Sequence, residues 1–431
     1  MTLKNKINTM RIPSIFYGPP SFGRTSVASP PVPHAGHLLS DQFNRVQPLL
    51  FGAKDHLESS IPVFDLSAFC SATNNETRRQ LAETLGNALR EYGFVAIKGH
   101  GIPLDDLKAY YQSVNHLLNR DERELLPFQI DEIGRAVGYN GATVKPEDAT
   151  NGDNVTLSAD PKHAWQTTPT QQLYPSWAPD FANHNTRMIN DLGQVASKLT
   201  EVLGVYFGPE KGRLLLDYAG SFENRTDVLR AIHYPSLSDI AKAKVQTVDH
   251  NGKKLWLRGK GHVDFSLFTL LPQSSTAGLQ LQKKDGTWMD VFTQEGYLIM
   301  NAGNSLAFMT EGLTDQDGES LEIPATLHRV VGDESEIATD RFSASYFVNG
   351  DLQRPLMNMQ TEFPVVRGEE VYLSDGVPQV FSPALKMPFL RYRFSNKTKA
   401  DMSFENYVTN IKNQSMFIEK FSRDKNLQVV H

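Results

Sequence analysis

Apolar and polar positions divide the 431-residue chain into four stretches. Residues 1–60 show little periodicity. They contain Pro13, Pro19, Pro20, Pro30, Pro31 and Pro33, each of which fixes φ and removes an amide donor, so an irregular N-terminal extension is expected. Residues 61–224 mix strands and helices. Ile61-Pro-Val-Phe-Asp-Leu reads as a short strand, and residues 76–92 carry Leu81, Leu85 and Leu89 at helical spacing. Tyr92-Gly-Phe-Val-Ala-Ile-Lys-Gly-His-Gly-Ile is an apolar strand closed by Gly-His-Gly, without a phosphate-binding glycine fingerprint. Residues 107–126 and 188–207 are helical in pattern, whereas 133–176, rich in Gly, Pro, Asn, Asp and Thr, predicts a long surface excursion.

In residues 225–350 the texture changes to short apolar runs broken by Gly, Pro and Asp. Strands are expected at 229–234, 255–257, 264–271, 278–282, 289–291, 297–302, 305–309, 325–331 and 341–348, a series that indicates a sandwich or barrel. The pattern weakens through 351–431, which ends in an amphipathic helix near 404–421 and a polar tail.

Composition narrows the possible chemistry. With a net charge of -6 and no Lys/Arg-rich run, the chain offers no broad basic field, so nucleic acid is not an expected partner. The single cysteine, Cys70, excludes an intramolecular disulfide and a thiolate metal cage; any metal must use His and carboxylate ligands. No apolar run approaches the roughly 20 residues of a membrane span, and no signal-peptide core precedes residue 30, so a cytoplasmic protein is expected. Residues 1–40 lack Asp and Glu and carry Lys4, Lys6, Arg11 and Arg24, a faint transit-like bias for which a surface-draped tail is the plainer reading.

Within this frame, Gly261-His262-Val263-Asp264 places a His and an Asp two apart, on one face if the segment is a strand. His328, in Ala-Thr-Leu-His-Arg-Val-Val, lies on another predicted strand. Two imidazoles and one carboxylate on a triangular face leave positions open on Fe(II) for an oxo acid and O2. One His-x-Asp among twelve histidines is expected by chance, so its weight comes from its place in the strand-rich half. The similar pair His56 and Glu58 falls in the irregular extension and reads as solvated. Arg341 and Ser343 share a strand face, with Phe342 pointing away. A guanidinium and a hydroxyl there suit a carboxylate, the alternative for Arg341 being a surface salt bridge. Tyr234 can add a phenolic hydrogen bond.

These segments together resemble the isopenicillin N synthase-like Fe(II)/2-oxoglutarate-dependent dioxygenases. Tyr92-Gly-Phe to His100-Gly-Ile is similar to the family's N-terminal signature, and Gly261-His-Val-Asp-Phe-Ser-Leu-Phe-Thr-Leu-Leu-Pro-Gln to its iron motif. Gly278-Leu-Gln, Asn301-Ala-Gly-Asn-Ser-Leu, His328-Arg-Val and Arg341-x-Ser343 follow in order. The resemblance implies a mixed α/β, mainly β fold, with a double-stranded β-helix (jelly roll) core flanked by helices. It also implies that His262, Asp264 and His328 bind Fe(II), and that Arg341 and Ser343, with Tyr234, hold 2-oxoglutarate. The expected reaction uses O2 to hydroxylate, desaturate or cyclise a small-molecule substrate, releasing succinate and CO2, in a monomer or weak dimer. Two rival readings stay open: a 2-oxoglutarate-independent oxidase of the isopenicillin N synthase type, and a non-catalytic jelly-roll binding protein.

The chain departs from the family pattern in places. His233 stands where a tyrosine is usual and Ile232 where an asparagine is, which puts contacts from that strand in question. Gly303-Asn304 replaces Gly-Asp, and residues 310–327 form a longer, more acidic insertion, read as a loop rather than a lid. Trp288 and His100 read as structural. Trp165, Trp177, Phe265 and Phe268 are candidates for pocket walls, with core packing the more usual role.

Overall fold

The computed structural model describes residues 59–130, 137–141, 160–273, 277–351, 354, 356–360, 366–367, 370–372 and 378–380. Residues 1–58 of the irregular extension, the His56/Glu58 pair among them, and the helix expected at 404–421 lie outside the described residues.

The opening reads as expected. Strand β1 (Val63–Asp65) precedes the helix Asn75–Tyr92, whose first turn is capped by Asn74 accepting from the Thr77 amide at 2.8 Å. The helix stops at Gly93, with φ at +68°; an added Cβ there would sit 1.7 Å from Thr326 Oγ1. Glycine is therefore required for the turn into β2 (Phe94–Lys98), which pairs in parallel with β1. Helices Leu104–Leu118 and Pro179–Ala219 follow, the second broken at Gly208-Pro209, where φ of the glycine is +79°. It thus runs well past the 188–207 read from periodicity, because its polar first turns and the break dilute the apolar stripe.

Between these helices β3 (Gly138–Asn140) and β4 (His163–Thr167) join the main sheet, which corrects the surface excursion expected over 133–176. The remaining strands are β5 (Val228–Tyr234), β6 (Thr247–His250), β7 (Lys253–His262), β8 (Phe268–Pro272), β9 (Leu279–Gln282), β10 (Trp288–Asp290), β11 (Leu298–Ala302), β12 (His328–Gly332) and β13 (Arg341–Val348). They form an eight-stranded sheet ordered β1-β2-β11-β8-β13-β5-β4-β3 and a five-stranded sheet ordered β10-β9-β12-β7-β6, the two sheets of a jelly roll. A third, small antiparallel sheet is made of β14 (Val366–Arg367), β15 (Glu370–Tyr372) and β16 (Pro378–Val380). The strand expected at 305–309 is instead a helix, Asn304–Met309, fully buried; its unbroken burial imitates a core strand.

Strand alternation separates two interiors. Leu229 and Ala231 of β5, with Phe342, Ala344, Tyr346 and Val348 of β13, join the helices in the main hydrophobic core. The intervening residues turn the other way: Ile232, Tyr234 and Ala164 pack with Val330 of the opposite sheet, and Phe94, Ala96 and Ile299 with Leu279 and Leu281. The space between the sheets is thus lined by every second residue of β2, β11, β5, β4 and β13. Trp165, Phe268 and the partly buried Trp177 belong to the helix-side core, so their packing reading holds. The 310–327 insertion is a loop pinned at both ends by Leu313 and Ile323 in that same core, with its acidic tip exposed.

One buried polar cluster ties the long helix to the main sheet. Arg225 donates to Asp227 Oδ2 at 2.8 Å, Ser197 Oγ at 2.9 Å and the Gly193 carbonyl at 2.9 Å, while Asp227 also accepts from Tyr346 Oη and the Asn349 amide. Both charged groups are essentially inaccessible. Asp227→Ala should therefore lower the unfolding free energy by about 3–5 kcal/mol, since it leaves a buried guanidinium uncompensated. A urea titration of the variant against the parent measures this.

Candidate metal centre

His262 closes β7 and faces His328, the first residue of β12, across an antiparallel pair; their rings lie 4.3 Å apart. Asp264 is not on a strand, contrary to the expected run over 264–271. The strand ends at His262 and the chain bends at 265–267, so Asp264 sits between the strand end and the bend, with its carboxylate beside the imidazoles. Asp264 Oδ1 is 3.8 Å from Nε2 of each histidine. One ion with bond lengths of about 2.0–2.2 Å can bridge that separation. These three residues are the only metal-competent cluster among the described residues.

Each of the three side chains is oriented from behind. His262 Nδ1 donates to the Lys260 carbonyl at 2.8 Å and His328 Nδ1 to the Thr326 carbonyl at 3.0 Å, an arrangement that in the neutral ring leaves the Nε2 lone pair toward Asp264. Phe94 meets His328 edge-on at 5.5 Å. Asp264 Oδ2 accepts from Thr269 Oγ1 at 2.6 Å and Asn301 Nδ2 at 2.8 Å, and these two residues are register partners on β8 and β11. Only Oδ1 is left to face the histidines. Burial pushes the Asp264 carboxyl up, but the two imidazoles and these hydrogen bonds outweigh it and hold it below the ordinary aspartate value. Burial, reinforced by His328, brings the His262 imidazolium down to about 4, which favours the neutral ligand form.

On the inner face of the main sheet, Arg341 opposes Tyr234 and Ser343 opposes Ile232 in register. The guanidinium lies 5.0 Å over the Tyr234 ring and its Nε donates to the Ala277 carbonyl at 3.2 Å. Its Nη1 is buried without a hydrogen-bond partner, which an incoming carboxylate would supply. Phe342 does point away, and stacks on His233 at 4.5 Å. His233 therefore faces the helix side and leaves the contacts of Tyr234 untouched.

Several neighbours carry little signal in the sequence. Asn301 reads there only as part of a turn, and Thr269 as part of the iron motif without a role of its own. Asp160 accepts from the Lys260 amide at 3.1 Å and pairs with Lys162 at 2.9 Å, bracing the strand end that carries His262. Arg258 donates to the carbonyls of Glu336 and Thr339 beside Arg341. Burial, then repulsion from Arg341, draws its guanidinium down to about 10. Arg230 also reaches the intersheet space; strand parity with Ile232 and Tyr234 is the signal that could have found it. His100, bonded to the Gly296 carbonyl and the Ile102 amide, is structural as expected.

Residues 227–350 match the 2OG-Fe(II) oxygenase superfamily model, and residues 61–176 match the model for the N-terminal region of non-haem dioxygenases in morphine synthesis. The chain belongs to the 2OG-Fe(II) oxygenase superfamily, and is an oxidoreductase of a family that uses Fe(II) and 2-oxoglutarate. It is 24% identical to the clavatol oxidase claD of Penicillium crustosum, over 68% of this chain and 86% of the relative. It is 22% identical to an isopenicillin N synthase of Flavobacterium sp., over 68% and 85%. The fold is similar to that of a full-length Neurospora crassa protein solved in complex with alpha-KG and 5-formyluracil, with a TM-score of 0.55 at 19% identity, covering 70% of this chain and 88% of that one. No helix among the described residues is long and apolar enough to cross a membrane.

If Thr269 and Asn301 orient Asp264, then Thr269→Val and Asn301→Leu should each weaken Fe(II) binding on the order of 10–100-fold without unfolding the protein. Anaerobic calorimetric titration of Fe(II) into each variant provides the check.

Proposed function

We propose that His262 and His328 through Nε2, and Asp264 through Oδ1, hold one Fe(II), and that Arg341, Ser343 and Tyr234 receive the distal carboxylate of 2-oxoglutarate. On this reading the enzyme hydroxylates, desaturates or cyclises a small organic substrate with O2, releasing succinate and CO2. The observation that carries it is the pairing of a converged His/Asp/His face with a buried, partnerless Arg341 Nη1 on the facing sheet. The co-substrate bound in the Neurospora crassa structure is in keeping with it.

Fe(II) with 2-oxoglutarate, when bound, would activate O2, which is the oxidant. The chain's own residues do the rest. Backbone carbonyls hold both imidazoles in the ligating tautomer, and Thr269 and Asn301 fix which Asp264 oxygen is offered. Arg341 supplies a desolvated cation whose bidentate geometry matches a carboxylate. Apolar residues between the sheets, Phe94, Ile232 and Val330 among them, keep water from the reacting space.

The anaerobic protein with Fe(II) and 2-oxoglutarate should show a metal-to-ligand charge-transfer band and release succinate once O2 is admitted. His262→Ala and Asp264→Ala should lose both, and retention of 2-oxoglutarate decarboxylation in either would sink the proposal. Arg341→Gln should raise the Kd for 2-oxoglutarate at least tenfold, consistent with about 2–5 kcal/mol for a buried charge-assisted pair, with Fe(II) affinity changed less than twofold. The similarity to isopenicillin N synthases keeps one second reading in view: Arg341 and Ser343 gripping a carboxylate of the substrate itself. Succinate formed per substrate consumed separates the two, at one for the first and zero for the second.

A further inference from the structure

A second cation lies between the sheets, and nothing in the proposed iron and co-substrate sites uses it. Arg230 is on β5 with the parity of Ile232 and Tyr234, opposite Ser345 on β13 and Gln166 on β4. Its Nε donates to Gln166 Oε1 at 2.5 Å and its guanidinium lies 5.2 Å over the Phe347 ring. Among the described residues it has no ion pair, and its terminal nitrogens have no protein acceptor. By contrast Lys162, the nearby ammonium, is matched by Asp160 at 2.9 Å. Burial draws the Arg230 guanidinium down to about 10, and the attraction of Asp264 offsets only part of that, so it is charged at neutral pH, close to the metal ligands and poorly compensated.

Arg230 and Tyr234 are four residues apart on one strand, a separation of about 13 Å. Tyr234 marks the Arg341 end, so the two guanidinium side chains start from opposite ends of this stretch of the sheet. The same three groups recur in a different layout: at Arg341 the hydroxyl of Ser343 is two residues along the same strand and the ring of Tyr234 lies across the ladder, whereas Arg230 has the Ser345 hydroxyl across the ladder and the Phe347 ring beneath its guanidinium. We infer that Arg230, with Ser345 and Gln166, is a second anion receptor that binds a carboxylate of the primary substrate, making this enzyme selective for small organic acids. The inference rests on the proposed iron and co-substrate sites, and it assigns Arg230 a part in specificity rather than in co-substrate binding.

The test uses the full chain, anaerobic, with Fe(II) and saturating 2-oxoglutarate. Benzoate, phenylacetate and hexanoate are titrated by calorimetry beside their primary amides. At least one acid should bind tenfold or more tighter than its amide. Arg230→Gln should abolish that preference and Arg230→Lys should keep part of it. Gln166→Glu, isosteric and placing a carboxylate on the guanidinium, should abolish it by filling the receptor from within. In all three the Kd for 2-oxoglutarate and the charge-transfer band should change less than twofold, and Arg341→Gln should keep the acid preference. Equal binding of acids and amides by the parent, no acid binding at all, or Arg230→Gln weakening 2-oxoglutarate as much as the acids would each overturn the inference. Loss of the charge-transfer band in the parent with the Arg230-dependent preference intact would instead overturn the co-substrate reading and leave the receptor standing.

Discussion

Asp264 has two carboxylate oxygens, and the fold commits them to different sheets. Oδ2 is tied to Thr269 and Asn301, side by side on β8 and β11 of the main sheet; Oδ1 faces His262 and His328, which the smaller sheet supplies. The residue belongs to neither sheet and links both. Its buried negative charge is costly unless hydrogen-bonded and paired, and here both conditions are met by groups that only the assembled jelly roll brings together. The connection 263–267 is secured in turn by the Asn304 amide donating to the Asp264 carbonyl at 2.7 Å, and by Gly303, where a Cβ would lie 2.0 Å from the Ser266 carbonyl. The Asn301-Ala-Gly-Asn segment therefore does two jobs: a side chain for the carboxylate and a close backbone approach for the bend.

Most of this architecture is legible in the sequence because strand and helix periods are local properties. The apolar alternation of β5 and β13, the Leu81–Leu85–Leu89 stripe and the Gly93 stop each follow from neighbouring residues. The motifs of His262, Asp264, His328, Arg341 and Ser343 keep their order along the chain on the strands and turns of the two sheets. What stays hidden depends on contacts between distant segments. The strand β4 escapes notice because Gln166 on it and Lys162 just ahead of it are polar, and such residues read as loop until the cavity they face is known. The helix Asn304–Met309 reads as a strand because burial on all sides erases its period. Strand parity anticipates the convergence of His262 and Asp264, but not the two residues that hold the carboxylate in place, Thr269 and Asn301.

Charge inside the intersheet space follows the same logic of compensation. Lys162 is cancelled by Asp160, and Arg225 on the helix side by Asp227. Among the described residues, Arg341 and Arg230 are not cancelled by any carboxylate beside them, and the guanidinium of Arg258 is met only by the Glu336 and Thr339 carbonyls. A sheet that buries cations without partners is less stable than it need be, and the deficit falls when anions arrive. On the proposed reading, the dianion whose far carboxylate meets Arg341 leaves Arg230 for another anion. The remaining positive field at Arg230 disfavours cationic ligands as strongly as it favours acids, so the interior sorts substrates by charge before any loop contact sorts them by shape.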